Sequence, residues 1–290
     1  MKIKQYKSLF HEALLPVYDE QEIDSFFSII LEKIHQLKRI DLALQPETEM
    51  TEAQTQQWNE IVSDLQKQKP IQYILGETEF YGLSFLVNES VLIPRPETEE
   101  LVEIILSNNH ITASPHSLRI LDIGTGSGCI PIALAKNIPN AEVFAIDVSE
   151  EALAVAKKNA ERNKVNVTFI KQNILEVVTL NEVEGLEQAF DIIVSNPPYV
   201  RNLEKAEIKP NVLDYEPHLA LFVEDTDALL FYRKITELAT KTLQPNGQLY
   251  FEINQYLGAE TVALVQSYGF ATVQLIKDVY GNDRMIRAAL

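Results

Sequence analysis

A glycine-rich turn is the first part of the chain that could do chemistry. Residues 121–129 read Leu-Asp-Ile-Gly-Thr-Gly-Ser-Gly-Cys and stand between a predicted strand and a predicted helix. Glycines at such a turn let the backbone approach a ligand that side chains would keep away. The G-x-G-x-G spacing is one residue tighter than the dinucleotide fingerprint G-x-G-x-x-G. Taken alone, the turn fits a nucleotide-like ligand or a purely structural tight turn.

An acidic residue at the end of the next predicted strand favours the ligand. Asp147 follows Phe-Ala-Ile, 19 residues after Gly128. A carboxylate at this position can accept hydrogen bonds from both ribose hydroxyls. The alternative role, a helix cap, can be filled by Ser149. Together the turn and Asp147 predict an adenosine-containing cofactor. The tight glycine spacing favours S-adenosylmethionine over NAD, because a sulfonium and an amino acid need no pyrophosphate cradle.

The segment Asn196-Pro197-Pro198-Tyr199 follows another predicted strand, at the same edge of the sheet. The two prolines stiffen the backbone and lack N–H donors. The carboxamide oxygen of Asn196 and the carbonyl of Pro197 can together accept both hydrogens of a planar –NH2 group, as on glutamine, adenine or cytosine. Tyr199 offers a flat face for stacking. A rigid turn is the alternative for the tetrapeptide alone. Beside a cofactor turn, the segment predicts methylation of an amide or amino nitrogen.

The elements that must position these residues are alternating strands and helices. Short apolar runs typical of a buried parallel sheet alternate with helical segments, of which 150–163 and 226–243 are the clearest. The runs are RILDIG, EVFAID, VTFIKQ, FDIIVSN and QLYFEIN, and two further strands end the chain. This pattern predicts an α/β, Rossmann-like doubly wound sheet that binds ligands at the carboxyl ends of its strands.

The N-terminal part has a different pattern. Residues 1–70 show helical periodicity with predicted caps at Asp19 and Thr51, which indicates a small helical domain. Residues 71–93 mix aromatic and β-branched residues around two glycines and predict a β-hairpin linker. We therefore expect three parts: a helical domain over 1–70, a hairpin over 71–93 and the sheet domain over 94–290.

The charge argues against nucleic acid as a partner. The chain has 25 basic and 42 acidic residues, and both sides of residue 93 are acidic, with 8 against 15 and 17 against 27. Phosphate-backbone binding requires a basic surface. One cysteine and five scattered histidines predict no metal site and no disulfide. The absence of a long apolar run and of a signal-peptide pattern favours a cytoplasmic protein without a membrane contact.

The sequence resembles the HemK/PrmC family of protein-(glutamine-N5) methyltransferases. The likeness runs through Pro70–Gly76, Phe80–Gly82, Leu92–Glu99, the glycine turn, Asp147, the 196–199 segment, Asp214–Pro217 and Tyr232–Arg233. Asn-Pro-Pro-Tyr also occurs in adenine-N6 DNA methyltransferases. The segments Ile-Pro-Arg-Pro-Glu-Thr-Glu and Asp-Tyr-Glu-Pro are more specific to the glutamine methyltransferases.

The resemblance implies a seven-stranded methyltransferase domain whose last strand is antiparallel, and N-terminal helices that contact the substrate, a peptide chain release factor. The expected target is the glutamine of its Gly-Gly-Gln motif, with S-adenosylhomocysteine as the second product, in support of translation termination. The implied cofactor-binding residues are Gly124, Thr125, Gly126, Ser127, Gly128, Asp147, Val148, Asn173, Ile174 and Asn196. Asn196, Pro197, Pro198 and Tyr199 are the implied substrate-binding residues, and Asn196, Pro197 and Tyr199 the implied catalytic ones.

Asn173 and Ile174 stand where the family often has an acid and an aromatic residue, and Glu252-Ile253-Asn254 stands where a glycine is common. Three alternatives stay open. One is a nucleic-acid adenine methyltransferase, which the acidic charge opposes. Another is a non-catalytic cofactor-binding protein, which the intact motifs oppose. The third is a related enzyme that methylates a ribosomal-protein glutamine. A monomer is the simplest expectation for the oligomeric state.

Overall fold

The computed structural model describes residues 1–108, 117–177, 186 and 188–290. The chain divides into two compact units. The first comprises Met1–Leu75 with Pro210–Tyr215, and the second comprises Gly76–Lys209 with Glu216–Leu290. The finer division at residues 70 and 93 stays a prediction.

The first unit is helical. Its helices are α1 (Ile3–Leu14), α2 (Glu20–His35), α3 (Arg39–Leu44), α4 (Glu52–Gln66) and α5 (Ile71–Leu75). The predicted caps are confirmed, because Asp19 accepts a hydrogen bond from the backbone of Glu22 and Thr51 accepts one from that of Gln54. The fully buried Trp58 is the centre of the core, and its indole N–H donates to Nε2 of His35 at 3.0 Å.

Two short helices were not expected from the sequence pattern. Helix α3 buries none of its residues, so it has no apolar stripe to detect. Helix α5 lies inside the stretch predicted as hairpin. It forms because the carbonyl of Pro70 accepts hydrogen bonds from the backbone N–H groups of Tyr73 and Ile74, at 3.0 and 3.1 Å. The hairpin itself is therefore shorter than predicted.

The hairpin belongs to the second unit and consists of β1 (Glu77–Phe80) and β2 (Leu83–Leu86). Tyr81 and Gly82 at its turn both have positive φ, 51° and 70°, as a two-residue turn matched to strand twist requires. The hairpin is attached to a helix of the same unit, because the Asn159 carboxamide accepts from the backbone N–H of Leu86 at 2.6 Å and donates to its carbonyl at 3.0 Å.

A seven-stranded sheet forms the centre of the second unit, as predicted. Its strands are β3 (Arg119–Ile123), β4 (Glu142–Asp147), β5 (Thr168–Lys171), β6 (Phe190–Ser195), β9 (Leu243–Glu252), β10 (Thr272–Lys277) and β11 (Asp283–Ala289). Their spatial order is β10-β11-β9-β6-β3-β4-β5. The last strand, β11, runs antiparallel to both of its neighbours, whereas β9, β6, β3, β4 and β5 are mutually parallel. Two-residue strands β7 (Val200–Arg201) and β8 (Phe222–Val223) pair separately.

Helices cover both faces of this sheet. The helices of the second unit are α6 (Pro96–Leu106), α7 (Cys129–Asn137), α8 (Glu150–Asn163), α10 (His218–Leu221), α11 (Leu230–Thr242) and α12 (Gly258–Ser267), while the short α9 (Pro210–Leu213) belongs to the first unit. Successive residues of β3 are buried on opposite faces of the sheet. Leu121 packs in the hydrophobic cluster with α11 and α12, and Ile120 packs in the cluster with α6, α7 and α8. This alternation is the two-residue period of a strand buried on both faces.

The strand register brings three loops together. Ile123 at the end of β3 is paired with Ile146 of β4 on one side and with Ser195 of β6 on the other. The residues that follow are the glycine turn, Asp147 and Asn196. Parallel strands that end at the same level therefore place all three motifs at one edge. In the described part of the chain, no helix combines the length and apolar character needed to cross a bilayer.

Candidate active site

A cavity of about 440 Å³ lies at the carboxyl edge of β3, β4 and β6. Most of the residues that the sequence predicted for the site line it: Gly124, Thr125, Gly126, Ser127, Asp147, Val148, Asn173, Ile174, Asn196, Pro197 and Pro198. The structure thus brings together residues that are up to 74 positions apart in the chain, counted from Gly124 to Pro198. The cavity has the size and position expected for a cofactor and part of a substrate.

The glycine turn uses its glycines in two different ways. Gly126 has φ of +53°, and a Cβ added there would meet nothing within 4 Å, so the backbone conformation is what favours glycine. Gly128 has φ of +80°, and a Cβ there would come within 3.0 Å of Ile132 Cδ1 and 3.1 Å of Ala156 Cβ. Gly128 therefore lets α7 and α8 pack closely, while the first part of the turn leaves space for a ligand.

Asp147 is fixed by backbone donors. Its Oδ2 accepts from the N–H of Gly126 at 2.8 Å, and its Oδ1 accepts from the N–H of Ser149 at 2.9 Å. A carboxylate has about four acceptor sites, so each oxygen can still accept a hydroxyl group. Ser149 caps α8 by accepting from the N–H of Ala152 at 3.1 Å, as the sequence predicted.

Two buried polar side chains, Asp122 and Thr125, stand at the glycine turn. Asp122 is 1% exposed, and neither of its carboxylate oxygens has a hydrogen-bond partner of good geometry among the described residues. The hydroxyl of Thr125, which lines the cavity, also lacks a partner of good geometry. Burial raises the pKa of Asp122 to about 7, and hydrogen bonding to Thr125 and to the backbone N–H of Ile123 opposes the rise. The Thr125 hydroxyl therefore suits a polar ligand group in the cavity, whereas Asp122 is not part of the cavity lining.

The other end of the cavity contains the Asn196 segment. The Asn196 Nδ2 donates to the hydroxyl of Thr98 at 3.2 Å, and that hydroxyl donates to Glu252 Oε2 at 2.6 Å. Pro197 and Pro198 are part of the cavity wall. The Tyr199 hydroxyl donates to Glu252 Oε1 at 3.1 Å, and its ring packs against the core. The structure thus directs the polar end of Tyr199 toward the sheet.

The opposite wall, after β5, contains Asn173 and Ile174. Asn173 Oδ1 accepts from the N–H of Leu175 at 3.1 Å, and its Nδ2 donates to Glu176 at 2.9 Å. The backbone N–H of Gln172 donates to the carbonyl of Asp147 at 2.9 Å, which attaches this loop to the end of β4. Gln172 and Leu175 also line the cavity, so this wall presents amide and aliphatic side chains.

A buried ion pair joins the two segments that were specific in the sequence. Arg95 lines the cavity and donates to Oε1 of Glu216 at 2.5 Å, and the backbone N–H of Ile93 donates to Oε2 at 3.2 Å. The Glu216 side chain is fully buried. Arg95 thereby compensates a charge that would be costly to bury alone, and the ion pair brings Glu216 to the segment that contains Ile93 and Arg95.

Cys129 is a buried packing residue. It lies at the start of α7, is 9% exposed, and burial raises the pKa of its thiol to about 12. Thiolate is the reactive form of cysteine, so this side chain is inert at neutral pH.

Sequence reasoning missed three residues of the site: Thr98, Asp122 and Glu252. Asp122 stood in the quoted glycine segment, and a carboxyl group in a buried apolar strand was a signal that could have been used. Glu252 was noticed as the residue before a replaced glycine, without a role. Thr98 had no signal apart from its place in the Ile-Pro-Arg-Pro-Glu-Thr-Glu segment.

The sheet order, the glycine turn, the acidic residue at the end of β4 and the Asn-Pro-Pro-Tyr segment after β6 define a Rossmann-like S-adenosylmethionine-dependent methyltransferase. Residues 115–285 match the family described as "Methyltransferase domain", and residues 4–76 match "PrmC N-terminal domain". A solved methyltransferase from Pyrococcus furiosus has the same fold, with a TM-score of 0.50 and 24% identity over 72% of this chain and 90% of that one.

Two curated relatives identify the family to which the chain belongs. The release factor glutamine methyltransferase of Flavobacterium psychrophilum is 64% identical over 99% of both chains. That of Bacteroides thetaiotaomicron is 44% identical over 96% of both chains. The chain belongs to the release factor glutamine methyltransferase family.

The residues present fit S-adenosylmethionine. The Thr125 hydroxyl, which lines the cavity, would suit a polar group of the cofactor's amino-acid part, and the free acceptor sites of Asp147 would suit its ribose. The apolar side chains of Val148 and Ile174, which also line the cavity, would suit the adenine base. When bound, the cofactor supplies a methyl group activated by a sulfonium.

Proposed function

We propose that this protein methylates the side-chain amide nitrogen of the glutamine in the Gly-Gly-Gln motif of peptide chain release factors, with S-adenosylmethionine as donor. The observation that carries the proposal is the anchoring of Asn196. Because Thr98 accepts from Asn196 Nδ2, the carboxamide oxygen is left as an acceptor at the cavity. Asn196 and the Pro197 carbonyl can then bind the two hydrogens of one –NH2 group.

The chemical task of this slot is to make a poor nucleophile reactive. The lone pair of an amide nitrogen is delocalised into its carbonyl. Two acceptors that bind its hydrogens increase electron density on the nitrogen and orient it. The rate enhancement then comes from positioning and from electrostatic complementarity to the transition state. No separate general base is needed, because the nitrogen loses its proton only as the new carbon–nitrogen bond forms.

The proposed roles of the other residues follow their positions. Gly124, Thr125, Gly126 and Ser127 would form the cradle for the methionine part, and Gly128, which is outside the cavity lining, would support the cradle by letting α7 and α8 pack closely. Asp147 would accept from the ribose hydroxyls, and Val148, Asn173 and Ile174 would contact the adenine. Pro198 would keep the slot rigid. Tyr199 would shape it from below, with its hydroxyl held by Glu252.

The charge of the chain supports a protein substrate. A net charge of −17 repels nucleic acid and attracts a basic protein surface. Release factors act at the ribosome, so the proposed reaction takes place in the cytoplasm. The N-terminal helices are the proposed contact with the release factor, and a monomer is the proposed oligomeric state.

Labelling with a methyl-tritiated cofactor tests the proposal. The protein is incubated with a release factor, with the same factor in which the Gly-Gly-Gln glutamine is alanine, with ribosomal proteins, and with adenine-containing DNA. Label on the intact factor and none on the other three substrates is expected. Label on DNA would establish an adenine methyltransferase. Label that persists on the altered factor, or appears on a ribosomal protein alone, would contradict the proposed target.

A further inference from the structure

The amide slot, which is the proposed binding site for the substrate amide at Asn196 and Pro197, is supported by a series of buried hydrogen bonds. Asn196 Nδ2 donates to Thr98 Oγ1 at 3.2 Å, and Thr98 Oγ1 donates to Glu252 Oε2 at 2.6 Å. Thr98 is 2% exposed and Glu252 is 1% exposed. Thr98 lies in the first turn of α6 and Glu252 is the last residue of β9, so two elements far apart in sequence converge below Asn196.

The charge state of Glu252 determines which atoms donate and which accept in this series of hydrogen bonds. An ionised carboxylate can only accept hydrogen bonds, whereas a hydroxyl has one hydrogen to donate and lone pairs to accept with. The Thr98 hydrogen must therefore point to Glu252, which leaves its lone pairs for a donor. Only the –NH2 end of Asn196 can be that donor. The carboxamide oxygen is then the end of Asn196 that remains for a ligand.

The second oxygen of Glu252 fixes the other end of the slot. Tyr199 donates its hydroxyl to Glu252 Oε1 at 3.1 Å, and the carbonyl of Tyr199 accepts from Asn254 Nδ2 at 2.9 Å. Both oxygens of Glu252 are thus used, one for each end of the 196–199 segment. A single buried carboxylate therefore supports the whole segment.

We propose that Thr98 and Glu252 are positioning residues, which orient the Asn196 carboxamide with its oxygen toward the substrate amide. This inference rests on the proposed function for the identity of the substrate. The orientation of Asn196 itself is a property of the free protein. With the amide reversed, Asn196 would present a donor to the substrate –NH2 group, and the slot would repel the group that it is meant to bind.

The charge state of Glu252 links the orientation to pH. Burial raises the pKa of Glu252, while the hydrogen bonds from Thr98 and Tyr199 and the positive charge of Arg284 oppose the rise. The Glu97 carboxylate raises the pKa of Glu252 further. The Tyr232 hydroxyl donates to the backbone carbonyl of Glu252 at 3.2 Å. A protonated Glu252 can donate to Thr98, whose hydrogen could then face Asn196 Oδ1. The orientation is therefore specified only while Glu252 is ionised.

Three substitutions test the inference. Thr98→Val keeps the shape of the side chain and removes the hydroxyl, and Thr98→Ser keeps the hydroxyl. Glu252→Gln keeps the shape of the carboxyl group but can donate to Thr98. Cofactor affinity and thermal unfolding identify any variant that fails to fold. We expect kcat on the release factor to fall about tenfold or more in Thr98→Val and Glu252→Gln. KM should change little, and Thr98→Ser should restore kcat.

The pH profile and the side-chain amide of Asn196 provide readouts that a loss of stability would not give. The acid limb of kcat in the wild type should be absent in Glu252→Gln. The Asn196 –NH2 resonances, identified by their loss in Asn196→Asp, are recorded without substrate. We expect slow solvent exchange of this group in the wild type and Thr98→Ser, and a shifted, fast-exchanging signal in Thr98→Val.

The outcomes separate the two proposals. Wild-type kcat in Thr98→Val would overturn the positioning role. So would a fall in kcat with an unchanged Asn196 signal, because the loss would then arise elsewhere. A wild type that leaves release factors unmethylated, but shows the expected Asn196 signals in all variants, would support the positioning role and overturn the proposed function.

Discussion

The Asp147 carboxylate accepts a hydrogen bond from the backbone N–H of Gly126 at 2.8 Å. Two motifs that are separated in sequence, the glycine turn after β3 and the acid at the end of β4, are thus one structural unit. Asp147, the residue proposed to bind the ribose, therefore stabilises the conformation of the glycine turn even when no cofactor is bound. A substitution at Asp147 should therefore affect both ends of the cofactor.

The first prediction concerns Asp147→Asn. The variant loses the negative charge and places an –NH2 group against the N–H of Gly126 or of Ser149. Since hydrogen bonds to charged groups contribute about 1.5–3 kcal/mol, we expect the Kd for S-adenosylmethionine to rise by about 10-fold to 100-fold. Isothermal titration calorimetry measures this. Glu161→Gln, an exposed charge on α8 outside the cofactor cavity, is the control. Equal affinities in the two variants would remove Asp147 from the cofactor site.

The second prediction separates the slot from the cofactor site. Asn196→Ala removes the acceptor proposed for the substrate amide, so kcat should fall by about a hundredfold or more, as for loss of a transition-state contact. Cofactor affinity should stay within about twofold, since the glycine turn and Asp147 are untouched. Asn202→Ala, whose side chain donates to the exposed Glu224, is the matched control. Unchanged turnover in Asn196→Ala would place the amide slot elsewhere.

The sequence predicted those parts of the site that directly follow a strand. The glycine turn, Asp147 and Asn196 each stand at the end of an apolar run, and parallel strands bring such positions to one edge. The seven-stranded sheet was implied by resemblance to a family. The strand order, in which β11 lies between β9 and β10, is not encoded in the apolar pattern itself.

Thr98 and Glu252 could not be predicted because their contact spans 154 residues. Neither residue has a spacing pattern of its own, and their roles depend on how α6 packs beside β9. A similar limit applies to α5. Its residues, Ile-Gln-Tyr-Ile-Leu, have strand-like types. Local hydrogen bonds to the Pro70 carbonyl determined the helix instead.

The third prediction concerns the close packing at Gly128. Gly128→Ala adds a Cβ at positive φ and against Ile132 and Ala156, at 3.0 and 3.1 Å. Gly269→Ala is the matched control, because Gly269 has φ of +91° but nothing within 4 Å of an added Cβ. Overpacking costs about 1–3 kcal/mol. The free energy of unfolding should therefore fall by that amount more in Gly128→Ala than in Gly269→Ala. Urea denaturation measures both. Equal losses would show that α7 and α8 can separate freely at this point.

The last prediction uses the buried Asp122, whose pKa is raised to about 7 by burial. An unfolded aspartate titrates near 3.9, so between about pH 4 and pH 7 the folded protein holds a proton that the unfolded chain has released. The folded state binds more protons in this range, and the contribution of Asp122 to stability therefore falls as pH rises, then stays constant above pH 7. The full change is about 4 kcal/mol.

Urea denaturation of the wild type and of Asp122→Asn at several pH values isolates the contribution of Asp122, because the other titrating groups are common to both proteins. The difference between the two free energies of unfolding should shift in favour of the variant from pH 4 to 7. Parallel curves would mean that the pKa of Asp122 is the same in the folded and the unfolded protein.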